Sequence, residues 1–332
     1  MPSRPAGVVN HEPQEHGVCA AWTQHKIPAI TPAPPPFRMP GMPPVLSDVT
    51  VVIPTLGRDL LRGCLWSIAQ GSAWPTRVLV VDQGSNPEVD SWIADLNALG
   101  LVAERLQSAQ RGAAAARNRG FEQVGTEFIA ATDDDCRVDP EWLERLATTL
   151  RAHPHVLVTG RVDLLREEGQ QGEAPSLISS AVSELHRGPL LRRDPLFSNN
   201  MGFATELVKR LGSMDEHPSV RYAEDAEWSY RALRGGIAIL YAPEVRVGHL
   251  AWRDTAQLTG TYRRYARSQG GFYGHYIRQG DWYIVLRAAY DLLRGPWLVA
   301  RGIVTGDTEL TTIGGAYVRE LLPGILAGLR RS

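Results

Sequence analysis

Two periodicities alternate along the first part of the chain. Residues 49–54 (VTVVIP) form a continuous β-branched run of the length of a strand buried on both faces. After a turn at residues 55–58 (TLGR), Leu60, Leu61, Cys64, Leu65, Ile68 and Ala69 recur at helical spacing, with Arg58, Asp59, Arg62 and Gln70 off that face. Trp74-Pro75 predicts a break. Residues 77–81 then read as a second buried strand, ending in the turn-rich 82–86 (DQGSN). Pro87 opens a helix that runs through Leu99, and residues 101–106 read as a third strand. Gly112 precedes an Ala-rich helix over 113–124, and residues 128–131 are a fourth strand. Such alternation predicts an α/β domain with a mainly parallel sheet and right-handed crossovers.

The fourth strand runs into ATDDDCRVDPEWL, residues 131–143. Asp139-Pro140 has the signature of a helix start. Asp133, Asp134 and Asp135 therefore stand at the carboxyl end of a strand, where open α/β sheets bind ligands. A solvated acidic turn has the same spacing. Three adjacent carboxylates repel one another, and a hard divalent cation held by oxygens relieves that repulsion. No G-x-G-x-x-G follows the first strand and no G-x-x-x-x-G-K-[ST] occurs, which argues against a dinucleotide dehydrogenase and a P-loop protein. Asp82 after the second strand, Arg117 on the third crossover helix and the acidic cluster would meet at one sheet edge. Together they suit a ribose and base, a diphosphate and a bridging metal.

The motifs VVIPTLGR, VLVVDQGS, RGAAAARNRG and TDDDCRVDPEWL, in that order, resemble the nucleotide half of family 2 glycosyltransferases, a GT-A fold with a Rossmann-like sheet. Residues 197–216 (FSNNMGFATELVKRLGSMDE) are similar to the family's acceptor-side segment, and 223–249 (AEDAEWSYRALRGGIAILYAPEVRVGH) to its catalytic segment. The resemblance covers about residues 48–276 and implies a nucleotide-binding half (47–140) and an acceptor-binding half (141–276). It implies that Pro54, Thr55 and Asp82 line the base and ribose pocket and that Arg117 faces the diphosphate. Asp133 and Asp134 would touch ribose or water, and Asp135, in a cluster of the DXD type, would hold Mg²⁺ or Mn²⁺. Gln83 stands where the family often has a second acid.

Glu224 and Asp225 would lie in the first turn of a helix, where acids also complement the macrodipole. Inverting transfer needs a base for the acceptor hydroxyl's proton and positive charge for the leaving nucleoside diphosphate. The resemblance gives the base to Asp225 and substrate hydroxyl contacts to Glu224. Asn199 and Asn200 have amides suited to sugar hydroxyls. His249 is a further metal or diphosphate candidate, and equally a structural histidine. Residues 165–196 read as a long excursion beside the site. The activity implied is transfer from a UDP-, dTDP- or GDP-sugar to a glycan, lipid-linked or small-molecule acceptor. A nucleotidyltransferase or an inactive sugar-binding module are the rivals, and the turn PTLGRD lacks the Gly-rich basic loop of the former.

Composition adds less. The net charge is −1 over 332 residues, so no global field points to nucleic acid. From residue 250 onward eleven Arg face six acids. Residues 282–294 and 317–331 are apolar over most of a helical surface, with Arg287, Asp291 and Arg294 on one polar stripe. A C-terminal helical region, 277–332, is expected to pack on the domain, form a homodimer or lie on the cytoplasmic face of a membrane. Residues 1–46 are Pro-rich and read as a flexible leader. Their His11, His16, Cys19 and His25 fit no standard zinc spacing. Neither a secretory signal nor a spanning helix is expected, and three unclustered cysteines fit a reducing, cytoplasmic setting.

Overall fold

The computed structural model describes residues 41–167, 172–192 and 194–331. Most of the Pro-rich leader, with its histidines and Cys19, lies outside them. The first half alternates as its hydrophobic pattern dictates: β1 (Val45–Thr55), α1 (Leu60–Ala69), β2 (Trp74–Asp82), α2 (Glu88–Ala98), β3 (Ala103–Gln107), α3 (Ala113–Phe121) and β4 (Phe128–Thr132). Then come β5 (Cys136–Val138), α4 (Trp142–Ala152), β6 (Leu157–Leu165), β7 (Glu184–His186), β8 (Asn200–Ala204), α5 (Thr205–Leu211), a 3₁₀ turn at Pro218–Val220, α6 (Glu224–Arg234) and β9 (Ile239–Leu250). Three helices close the chain: α7 (Thr255–Arg278), α8 (Trp282–Thr305) and α9 (Thr308–Leu329).

The strands form one sheet in the order β3-β2-β1-β4-β8-β6-β9-β5, with β7 beside β9. This is the GT-A arrangement that the motifs implied. Pairing is parallel through β3-β2-β1-β4, whereas β8 runs antiparallel to both β4 and β6. The sheet is thus parallel in its first half and mixed beyond. Successive strands step outward from β1 to β3, and β4 returns on the other side of β1. The order reverses there, so the carboxyl ends of β1 and β4 flank a switch point, the standard place for a ligand crevice. Trp74-Pro75 is not a break. It opens β2, with Leu46 opposite Pro75 and a register shift before Thr50, where proline's missing N–H is tolerated.

Val51, Ile53, Val80 and Ile129 are wholly buried, as strands covered on both faces require. A Cβ at Gly120 would lie 2.4 Å from Val52 Cγ1, so the second Gly of RGAAAARNRG lets α3 sit directly on β1.

The helical region begins at Thr255, because α7 packs along α9. The two meet backbone to backbone: a Cβ on Gly274 would stand 2.1 Å from the Ile325 carbonyl oxygen, and one on Gly324 would stand 2.1 Å from that of Arg267. A second small core, with Val220, Tyr230, Phe272, Tyr273, Ile284 and Leu321, ties these helices to α6. Tyr230 donates to Asp281 at 2.7 Å, and Arg287 donates to Asp194 at 2.8 Å. The other side of α8 is left to solvent. Among the described residues no helix is long and apolar enough to cross a membrane.

Candidate active site

A cavity of about 530 Å³ opens at the switch point, between the β1 and β4 ends, the first turn of α6, and α7 to α9. Its sheet-side wall holds the three aspartates, each with a different partner. Asp133 accepts from Arg117 Nη2 at 2.5 Å. Asp134 accepts from Thr55 Oγ1 at 2.6 Å and is ion-paired with Arg58. Asp135 Oδ2 accepts from Trp252 Nε1 at 2.9 Å and from Arg253 Nη2 at 3.1 Å. Repulsion within the cluster is thus relieved by arginines that come from the turn after β1, from α3 and from the segment after β9.

The electrostatics differ within this row. Burial and the neighbouring Asp135 push the Asp134 carboxyl up to about 6, against the pull of Arg58. Burial also opposes ionisation of Asp135, but His249, Arg58 and Arg253 outweigh it and hold the group well below the usual carboxylate range.

Antiparallel pairing of β5 and β9 sets Cys136 opposite His249, which brings His249 to Asp135. Asp135 Oδ1 lies 3.4 Å from His249 Nε2, a buried nitrogen without a hydrogen-bond partner. On the other ring nitrogen, Nδ1, Asn199 Nδ2 sits at 3.4 Å. Asp135, Cys136 and His249 present ligand atoms within 4.8 Å of one another. An orphaned imidazole nitrogen beside an ionised carboxylate oxygen fits a divalent cation. Burial pushes the Cys136 thiol up, so the neutral sulfur is the poorer donor for a hard ion.

The opposite wall carries the second acid pair. Glu224 is buried and accepts from Arg117 Nη1 at 3.0 Å. Burial and Asp225 nonetheless push it up to about 8, despite Arg117. Asp225 is only half-buried. Its Oδ2 accepts from Ser198 Oγ at 3.2 Å and its Oδ1 from the Ala226 amide at 2.8 Å. Burial raises Asp225 as well, with Arg117 opposing.

Pro54, Thr55, Arg117, Asp133, Asp134, Asp135, Asn199, Glu224, Asp225 and His249 all border the cavity. Asp82 and Asn200 do not. Asp82 is fully buried; it accepts from the Gly84 amide at 2.7 Å and pairs with Arg105 at 2.6 Å. Its neighbour Gln83 reaches the cavity and accepts from the Gly112 amide at 2.6 Å. Asn200 accepts from Trp142 Nε1 at 2.9 Å and donates to the Arg161 and Val245 carbonyls at 3.0 and 2.9 Å. Those carbonyls flank a shift in the β6–β9 register, and the Asn200 amide satisfies what the ladder leaves open there. Arg117 also departs from expectation: both its terminal nitrogens are engaged by protein acids, leaving only Nε without a partner.

Sequence reasoning missed Arg58, Ser198, Trp252 and Arg253 as site residues. Arg58 and Arg253 carried a signal, each being a cation within four residues of a strand end that also carries a site residue. Ser198 and Trp252 carried none.

Residues 50–207 match the model described as Glycosyl transferase family 2. "Glycosyltransferase AglE" of Haloferax volcanii is 26% identical over 208 residues, covering 61% of this chain and 67% of that protein. "Pre-mycofactocin glycosyltransferase" of Mycobacterium tuberculosis is 29% identical over 226 residues, covering 63% of this chain but only 44% of that protein. "dTDP-rhamnosyl transferase RfbF" of Shigella flexneri is 24% identical over 243 residues, covering 68% and 79%. The α/β sheet, with an aspartate cluster and an opposing acid pair at its switch point, is thus that of a glycosyltransferase, as are the relatives it resembles. Within that class, it is the segment 50–207, just under half of the chain, that matches family 2.

Proposed function

We propose that the protein transfers a glycosyl residue from a nucleoside diphosphate sugar to an acceptor hydroxyl, with inversion at the anomeric carbon. The observation that carries this reading is the meeting, in one cavity, of the Asp133–Asp135 row with the solvent-reachable carboxylate of Asp225.

Pro54, Thr55 and Gln83 border the nucleoside end. Arg253 keeps a buried Nη1 without a partner, and the N-terminus of α3, at Gly112 and Ala113, opens on the same cavity. A guanidinium nitrogen and the first-turn amides of a helix suit a diphosphate. Arg117 holds Asp133 and Glu224 in place rather than the diphosphate. Asp225 takes the proton of the acceptor hydroxyl as its oxygen bonds to the anomeric carbon. The bond from that carbon to the diphosphate oxygen breaks in the same step, and its electron pair leaves with the diphosphate. Ser198 holds Asp225 in orientation. Glu224, kept neutral up to about pH 8, adds no second negative charge beside the base. Asp135 and His249 would hold Mg²⁺ or Mn²⁺, which when bound supplies positive charge against the leaving diphosphate.

We also place α8 on an anionic lipid surface. Trp282, Leu286, Leu293, Trp297, Ile303 and Val304 are exposed along its outer side, Leu293 by 76% and Val304 by 85%. Arg301 is the one exposed charge on α8 among the described residues, and its guanidinium lies 5.2 Å over the Trp297 ring. An apolar face edged by Trp and Arg is the pattern of an interfacial helix.

Calorimetry with UDP, dTDP and GDP, with Mn²⁺ or with EDTA, tests the donor reading, and nucleotide release from a sugar-nucleotide panel that includes dTDP-rhamnose follows it. Removing the cation or making Asp135→Ala should weaken nucleotide binding by about 10- to 100-fold. Equal affinity with and without the cation would sink the metal role.

A further inference from the structure

The cavity does not end at the two acid pairs. It continues against the inner side of α8, outside the matched segment 50–207. There Arg287, Asp291 and Arg294 follow one another at helical spacing, and Tyr317 of α9 joins them. Arg287 is 2% exposed and Asp291 3%. Arg287 spends its two terminal nitrogens on Asp194, but its Nε has no partner. Asp291 accepts from Tyr273 through Oδ2 at 2.6 Å, while Oδ1 has no hydrogen-bond donor and only Arg294 Nη1 at 3.6 Å. Buried polar atoms are nearly always satisfied, so an unpartnered donor and an unpartnered acceptor, one turn apart on side chains that line a cavity, call for a ligand.

We propose that the inner stripe of α8 is the acceptor subsite and that it takes a neutral, hydroxyl-bearing glycosyl unit. The inference rests on the transfer reaction proposed for this cavity. An open donor at Arg287 Nε and an open acceptor at Asp291 Oδ1 match a hydroxyl, which donates and accepts at once. Phosphate or carboxylate offers acceptors only and would face the charge of Asp291 with Asp194 close behind. The cationic ends here are already engaged, both terminal nitrogens of Arg287 by Asp194 and the Arg294 guanidinium by the Tyr317 ring, 5.4 Å away. A single helix therefore lines the acceptor end of the cavity with one side and presents its apolar side outward.

The test is saturation-transfer NMR on the full chain with UDP and Mn²⁺ bound, using methyl glucoside, methyl mannoside and methyl N-acetylglucosaminide as neutral probes and glucose 1-phosphate as the anionic one. At least one methyl glycoside should bind. Asp291→Asn is nearly isosteric, keeps an oxygen for Tyr273 and turns the open acceptor into a donor. The affinity ratio of glycoside to glucose 1-phosphate should then fall about tenfold, the worth of one net hydrogen bond, with UDP affinity unchanged. Gln269→Ala, on the half-buried α7 wall of the same cavity, should weaken the glycoside alone, and it serves if Asp291→Asn fails to fold. UDP binding with no glycoside response, or an Asp291→Asn ratio equal to wild type, overturns the subsite. Failure of UDP itself to bind overturns the transfer reading beneath it.

Discussion

The sheet edge and the α7–α9 helices both bury arginines against acids, but they do so to different ends. At the sheet edge each arginine joins elements far apart in the chain: Arg58 reaches Asp134, and Arg117 links Asp133 to Glu224. These pairs surround an open cavity and leave His249 Nε2 and Arg253 Nη1 unfilled. In the helices, closely set glycines do the joining and charge is secondary. Arg287 is buried against Asp194, and the exposed Arg263 and Arg267 share the largely buried Glu320. One region thus keeps charge in tension for a ligand. The other is a rigid platform, with a polar stripe turned inward and an apolar face turned out.

The sharpest way to break this comparison is to remove chemistry from the sheet-side cavity without touching the platform. Asp225→Asn keeps an oxygen for the Ala226 amide, can donate to Ser198 Oγ in turn, and loses the ability to take a proton. Turnover should fall by about 10²- to 10⁴-fold with nucleotide affinity nearly unchanged. Product NMR should show inverted anomeric configuration, and retention would refute the single displacement. Glu224→Gln is the companion. Folding favours the protonated Glu224, whose ordinary value is 4.5 and whose folded value is about 8. Its contribution to stability is therefore present at low pH and lost as pH rises from about 4.5 to about 8. Denaturant titrations at pH 5 and pH 8 should show that slope in wild type and a flatter one in Glu224→Gln. If Glu224→Gln is the inactive variant and Asp225→Asn the active one, the base is Glu224.

Next in size is the platform itself. Gly324→Ala puts a methyl group 2.1 Å from the Arg267 carbonyl oxygen, a backbone atom that cannot move without separating α7 from α9. Overpacking of this kind typically costs about 1–3 kcal/mol, read as a lower denaturant midpoint. Gly120→Ala is the matching change at the sheet. There the obstacle is Val52 Cγ1, a side-chain atom at 2.4 Å with some room to turn, so the smaller loss is expected. Equal losses would mean that the α7–α9 contact is no tighter than ordinary helix-on-sheet packing.

The same contrast explains what could be read from the chain. The alternation of residues 49–131 predicts the parallel half of the sheet because both faces of those strands are buried and their apolar runs are unbroken. The acidic row was legible because Asp133–Asp135 are contiguous and follow a strand. That Asp82 and Asn200 stand off the cavity was not legible, because a polar residue at a strand end looks the same whether it meets a ligand or a neighbouring backbone. Only the Arg105 pairing and the β6–β9 register shift distinguish the cases, and both are long-range. The break expected at Trp74-Pro75 ignored that proline is tolerated at the start of a strand. The glycines of α7 and α9 gave no signal alone, since their meaning lies in the facing helix.

The smallest effect belongs to the outer face of α8, and it separates the two roles of that helix. Leu293 and Trp297 are one turn apart and largely exposed, so Leu293→Ser with Trp297→Ser removes apolar surface that packs against little within the chain. Surface changes of this sort alter stability by about 0.5 kcal/mol or less each, and solution turnover on a water-soluble donor should hold. Binding to vesicles containing anionic lipid, followed by flotation, should drop by about tenfold or more, because each apolar side chain contributes about 1.5–3 kcal/mol when fully buried and two are removed. High salt should weaken the wild-type interaction further by screening Arg301. If wild type does not float, yet sediments as a dimer that the double variant dissociates, the apolar face is covered by a second copy of the chain, and the lipid assignment falls.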